Sequence, residues 1–208
     1  MEKKRLKILA AAMLFLLFLA YGCKPETKSN VNAETKSNVN DHAQATPQKP
    51  KIIPQSELKR MALNVQDTNN LTLRNKYEFY KQTGDKNSSL GYFITFDDNK
   101  RPSDKMLTNR ILTFSSKEEI DSYMGELREE FVKNFPKNYN EVSIKKIGDS
   151  SSSYGAKFFG RDITSVWFSK YNAVVAIQLE GGSVEEAVSY AKKIEAKLDK
   201  WDDKWQNP

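Results

Sequence analysis

Ile163-Thr164-Ser165-Val166-Trp167-Phe168-Ser169-Lys170 and Ala173-Val174-Val175-Ala176-Ile177-Gln178-Leu179 are two runs rich in β-branched and aromatic residues, separated only by Tyr171-Asn172. A two-residue link suits a tight hairpin, whereas parallel strands need a crossover of a dozen residues or more, so this pair is antiparallel. Beyond Gly181-Gly182, read as a strand-to-helix turn, Ser183 and Glu186 have capping-box spacing. Val184, Ala187, Val188, Ala191, Ile194, Leu198, Trp201 and Trp205 then recur at helical intervals. The stripe predicts a closing helix that buries Val188 and Ile194, and Trp201 more weakly, against Val166, Phe168, Val175 and Ile177. Glu195 is expected on the opposite, solvent face.

The same reading extends upstream. Glu141–Ile147 and Gly155–Phe159 are expected strands, with the polar run Asp149–Ser153 and Tyr154 between them read as a plain loop or, alternatively, a ligand rim. Before them, Ser116-Lys117-Glu118-Glu119 matches a capping box. Ile120, Tyr123, Met124, Leu127, Phe131 and Phe135 share one face of a helix that stops at Pro136. Leu71–Lys81, Gly91–Asp97 and Met106–Phe114 alternate as half-buried strands, and Pro54-Gln55-Ser56-Glu57 opens a short helical stretch to about Leu63. Strands, helix, strands, helix, with hairpin-length links between strands, define an α+β domain. The expectation is a mainly antiparallel sheet with two long helices packed on it, formed by residues 51–208.

Within residues 142–198, Ile147-Gly148-Asp149-Ser150, Val166-Trp167-Phe168, Asn172-Ala173-Val174-Val175-Ala176-Ile177 and Ala191-Lys192-Lys193-Ile194-Glu195-Ala196-Lys197-Leu198 follow one another. This succession resembles a recurrent domain of exported bacterial and archaeal lipoproteins. The resemblance implies an architecture similar to the PsbP-like sandwich, a fold of binding and assembly modules. Its motifs are packing and turn signals, so no catalytic residue is carried over from it.

The N-terminus has the layout of an export signal over residues 1–22. Lys3, Lys4, Arg5 and Lys7 form a basic start, and Ile8–Ala20 is an apolar run of 13 residues. Such a run is too short to span a bilayer, which takes about 20 residues, and suits a signal core of roughly 7–15. It ends in Leu19-Ala20-Tyr21-Gly22-Cys23, which resembles the lipobox of bacterial lipoproteins, although Leu sits one place early and Tyr21 is bulky. The resemblance implies cleavage before Cys23 and a diacylglyceryl group on its sulfur, whose two acyl chains anchor stably to a membrane. Lys24, in place of the Asp that retains enterobacterial lipoproteins, favours an outer membrane where the host has one. Glu26-Thr27-Lys28-Ser29-Asn30-Val31-Asn32-Ala33 is then nearly repeated by Glu34-Thr35-Lys36-Ser37-Asn38-Val39-Asn40-Asp41. With one Val per copy the repeat has no face to bury, so residues 23–50 read as a disordered linker spanning on the order of 30 Å.

Composition narrows the chemistry. The formal charge of +6 comes mostly from the first 50 residues, which leave 25 cations and 23 anions to residues 51–208. A nearly neutral domain offers little phosphate attraction, so no nucleic-acid partner is expected. One cysteine and one histidine, His42 in the linker, exclude disulfide frameworks, His-pair or Cys-rich metal sites and most His-based triads. No cofactor is called for. Ser56/Lys59, Ser143/Lys146 and Ser189/Lys192 match Ser-x-x-Lys, but neither Ser-Asp-Asn nor Lys-Thr-Gly accompanies them. Asp97, Asp98, Asn99 and Asp104 supply oxygens without calcium-loop spacing, so a solvated loop is the plainer reading and no metal is expected.

Trp201 and Trp205 stay open between the last turns of a core stripe and two indoles presented to a partner. The functional expectation is a lipid-anchored extracytoplasmic module, non-enzymatic, that binds an envelope protein or small ligand. The alternative is an envelope-acting hydrolase using carboxylates, which would bring acidic side chains together in a concave pocket.

Overall fold

The computed structural model describes residues 52–83, 87–100 and 103–206. The stretch expected to be an export signal, Cys23, the repeat expected to be a linker and His42 lie outside the described residues. Seven strands form one sheet: β1 (Thr72–Thr83), β2 (Asn87–Asp97), β3 (Met106–Thr113), β4 (Tyr139–Glu141), β5 (Ser150–Phe158), β6 (Arg161–Lys170) and β7 (Ala173–Glu180). Their order is β1-β2-β3-β7-β6-β5-β4, and each neighbouring pair is antiparallel. The domain is therefore α+β on a mainly antiparallel sheet.

Among the described residues three α-helices accompany the sheet: the short α1 (Leu58–Met61), α2 (Lys117–Asn134) and α3 (Val184–Gln206). Among the described residues no helix is long and apolar enough to cross a membrane.

Alternation decides what lies on which face. Val166 and Phe168 of β6 and Val175, Ile177 and Leu179 of β7 share a cluster with Ala187, Tyr190, Ala191, Ile194, Leu198 and Trp201 of α3. The intervening Ile163, Trp167, Val174 and Ala176 join Ile120, Tyr123, Leu127 and Phe131 of α2 instead. Successive strand residues point to opposite sides, so the helices cover opposite faces. Chain order explains the path of α2, because it leaves β3 near the centre of the sheet and must reach β4 at the far edge, crossing β7 and β6.

The segment before β1 is part of the α3 face. Ile53, Leu58, Met61, Ala62, Leu63 and Leu71 are all buried there. Side chains act as its ladder partners. Asn109, fully buried in β3, accepts from the Leu63 N–H at 3.0 Å, and Asn172 accepts from the Ile53 N–H at 2.7 Å. Lys197 of α3 donates to the Ala62 carbonyl at 2.7 Å.

Several local expectations need correction. Residues 142–147 are not a strand: Val142 donates to the Ser153 carbonyl at 2.9 Å, but the Ile147 N–H finds the Ser151 hydroxyl instead of a ladder carbonyl. The polar run is not a loop, since Ser150–Ser153 begin β5 and pair with β6. Ser153 is buried, and the Ser150 and Ser169 hydroxyls meet at 2.7 Å. Both capping boxes form only their first half. Ser116 and Ser183 accept from Glu119 and Glu186, but the Glu119 carboxylate takes the Ser115 N–H, and that of Glu186 takes Lys105 and the Tyr190 hydroxyl.

Glu195 is not on a solvent face. It accepts the Gly148 N–H at 2.7 Å and lies 3.7 Å from the Lys170 ammonium. Gly148 needs this partner, because its turn has φ of 62° and leaves its N–H without a neighbouring strand to pair with. Glu195→Ala is therefore expected to cost about 1.5–3 kcal/mol, the net range for a hydrogen bond to a charged group, in chemical denaturation. A change below about half a kcal/mol would mean that water replaces the carboxylate at no cost.

Candidate functional site

The turn between β5 and β6 carries the least expected chemistry of the domain. Phe159 and Gly160 both have positive φ, 48° and 80°, the backbone of a two-residue hairpin turn that favours Asn-Gly. A bulky aromatic in that first position is strained, by of order 1–3 kcal/mol. Tyr171 in the β6–β7 turn also has positive φ, 55°, though Asn172 after it does not, and there packing accounts for it. Its ring lies 6.5 Å from that of Trp201 and its N–H donates to Asp149 at 2.9 Å. Phe159 has no such account: it is 74% exposed, and its ring lies 4.3 Å from that of the neighbouring Phe158.

That pair is the outer end of a continuous series of rings. Trp167 and Tyr154, buried on the α2 face, lie 4.9 Å apart and pack on Phe131 at 5.9 and 5.8 Å. Phe131 meets Phe135 at 4.8 Å just past the end of α2, and Phe135 meets Phe158 edge-on at 5.7 Å. Exposure rises outward, from 4% at Phe131 to 37% at Phe158 and 74% at Phe159. Tyr139 of β4, beside Ala156, adds a fourth partly exposed ring at 40%. The tip is thus held rigidly by the core and still offers apolar surface to something outside.

Its surroundings are basic. The Lys157 N–H donates to the Asn138 carbonyl at 3.2 Å, which brings the hairpin tip beside the turn after α2. Residues 133–137 and 157–162 contain Lys133, Lys137, Lys157 and Arg161 against one acid, Asp162, which pairs loosely with Lys157 at 3.8 Å. A second carboxylate, that of Glu180 on β7 opposite Ile163, interacts with Arg161, and Glu141 lies further along, opposite Tyr154.

The residues singled out from sequence fall elsewhere. Trp201 is buried in the α3 cluster with 8% exposure, and the side chain of Trp205, at the end of α3, lies outside the described residues. Asp98 spends its carboxylate on the Lys100 and Asp104 N–H groups and the Ser103 hydroxyl, Asp97 faces Arg74 at 3.0 Å, and Asp104 faces Lys100 at 3.2 Å. Among the described residues no group of three His, Cys, Asp or Glu is placed to hold a metal ion. Lys59 pairs with Glu78 at 2.6 Å, Ser143 and Lys146 are both exposed on the irregular segment, and Ser189 and Lys192 ride on α3. Gly181 is a turn residue: with φ of 70°, its Cβ would stand 1.9 Å from the Asp104 carbonyl oxygen.

One polar cluster sits on the α2 face near β1–β3. Arg110 lies 3.7 Å from Glu130 and over the Phe93 ring at 5.8 Å, with Tyr77 stacked on Phe93 at 4.7 Å. Burial pushes the neighbouring Tyr123 hydroxyl up to about 12, so it keeps its proton at physiological pH. Burial also raises the Glu180 carboxyl above its ordinary range, where its hydrogen-bond partner is the Gln178 amide and not a second acid.

No protein-family model matches the sequence, and no curated protein does. A solved structure matches in fold. The domain is similar in fold to the extracellular domain of PknH from Mycobacterium tuberculosis, with a TM-score of 0.55 and 8% identity over 73% of this chain and 100% of that one. At that identity the likeness concerns the fold alone. Sequence reasoning passed over Phe158 and Phe159, although Phe-Gly between two strand runs is a usable signal. Gly160 marks the turn, and the residue before it must then also take positive φ.

Proposed function

We propose that this chain is an extracytoplasmic lipoprotein whose domain, residues 51–208, is a non-enzymatic binding or assembly module. In this reading residues 1–22 direct export, Cys23 carries the diacylglyceryl anchor and residues 23–50 stand the domain off the membrane. The observation that carries the binding role is the aromatic tip, where Phe158 and Phe159 remain outside although the fold would be better served by a small residue. A rigid, exposed aromatic patch with a basic border has the composition of a docking surface. Likeness in fold to an extracellular domain supports placement outside the cytoplasm. A sheet held between one helix on each face supports a PsbP-like sandwich with two long helices.

The anchor is tested by feeding labelled fatty acid to producing cells. Label is expected in the wild type and absent from Cys23→Ser, because Cys23 is the only thiol in the chain and follows the apolar run directly. Equal incorporation into both proteins would remove the lipoprotein reading.

A further inference from the structure

We propose that the β5–β6 tip is a second, non-covalent membrane contact, seating Phe158 and Phe159 in the interfacial layer of an anionic bilayer. The proposal rests on the membrane-tethered reading above and names what the exposed patch meets. Three observations carry it. The first is placement: the two most outward rings of the series sit on a hairpin turn, the part of a domain best shaped to enter a headgroup layer without unfolding. The second is rigidity. Phe158 packs on Phe135 at 5.7 Å and Phe135 on Phe131 at 4.8 Å, so the tip is set before it meets a partner and little ordering entropy opposes docking.

The third observation is charge. Residues 51–208 carry 25 cations and 23 anions, yet the two segments that make the tip carry four cations and one anion. Lys133, Lys137 and Lys157 are exposed on these two segments, and Arg161, which follows the turn, interacts with Glu180. Apolar burial together with attraction to acidic lipid is how interfacial segments bind, and each basic residue near an anionic surface contributes about fivefold to the binding constant. A flat protein partner would not call for this combination. Its typical interface is poor in lysine at the centre and larger than one hairpin turn.

The test uses the full chain with Cys23→Ser and Phe159→Cys, labelled at residue 159 with a polarity-sensitive fluorophore. A second chain carries the label at Lys192→Cys, an exposed position of α3. Both are mixed with vesicles of phosphatidylcholine alone or with one third phosphatidylglycerol. Only the label at 159 on anionic vesicles is expected to shift to shorter wavelength and to be quenched by lipids brominated in the acyl chain, and the shift should fade in high salt. Lys137→Gln with Lys157→Gln should weaken this binding at least tenfold while the melt stays unchanged.

A label at 159 that remains in water while the chain sediments with anionic vesicles would overturn the proposal, since other parts of the chain would then be doing the binding. A lipid-free envelope protein fraction that shields residue 159 where vesicles do not would assign the patch to a protein and overturn it equally. Failure of the fatty-acid experiment with docking intact would remove the anchor and leave the tip, so the two readings fail separately.

Discussion

Truncating Phe131 to alanine is expected to destabilise the domain by about 3–5 kcal/mol, the usual cost of removing a buried phenylalanine. Its ring is 4% exposed and is gripped on three sides, by Phe135 at 4.8 Å, Tyr154 at 5.8 Å and Trp167 at 5.9 Å. Removing it leaves a cavity between α2 and the sheet that neither rigid element can collapse to fill. Aromatic pair geometry adds about 0.5–1.5 kcal/mol for each edge-on or tilted contact, so the loss belongs at the upper end of the range. Urea unfolding with an unchanged slope is the measurement. Lys133→Ala, two residues on and exposed, should stay within about half a kcal/mol. A loss below about 1 kcal/mol at Phe131 would detach the ring series from the core and leave the β5–β6 tip without support.

How far the fold can be read from sequence depended on whether local chemistry and tertiary demand agree. The hairpin at Tyr171-Asn172 was legible because two apolar runs stand two residues apart, and the observed β6–β7 register pairs Lys170 with Ala173 across that turn. The buried stripes were legible because Ile120, Tyr123, Leu127 and Phe131 repeat at three and four. Ser150–Ser153 were not. Four serines carry no periodic hydrophobic signal, and they become strand only because β6 supplies the partner and Ser169 the hydroxyl contact. Residues 142–147 failed the opposite way. Val142, Ile144 and Ile147 alternate with polar residues loosely enough to look like strand, while Ile147 is buried by an irregular path.

The site was less legible than the fold, for a related reason. Exposure of an aromatic is set by which turn it ends in, and the chain's 23 Phe, Tyr and Trp residues cannot be sorted by composition. Trp201, expected to bury only weakly, is covered through its contact with Tyr171 and the cluster below α3. Phe158, which sequence placed inside a strand, lies at that strand's end, where the sheet no longer shields it. Glu195 was misplaced because a helical wheel treats every charged residue off the stripe as solvated. It cannot register that Gly148, 47 residues earlier, presents an N–H in need of an acceptor.

Ile194→Ala is the corresponding test on the other face, with an expected loss of about 2–5 kcal/mol. Ile194 has no exposed surface and sits in the cluster that joins Val166, Phe168, Val175 and Ile177 of the sheet to the segment before β1. Three layers meet at that cluster, since Leu58, Met61 and Leu63 are packed there beside α3 and over the strands. The cavity would lie where helix, sheet and N-terminal segment converge. Lys197, one turn further along, ties α3 to the Ala62 carbonyl, so a shift of the helix toward the gap would strain that bond. Relaxation is thereby opposed, and the cost depends on how far the site can close. Val188→Ala supplies the comparison: it is only partly buried and should lose less than Ile194→Ala. If the two variants unfold at the same denaturant concentration, α3 does not present Ile194 to the sheet, and the assignment of the helices to opposite faces fails with it.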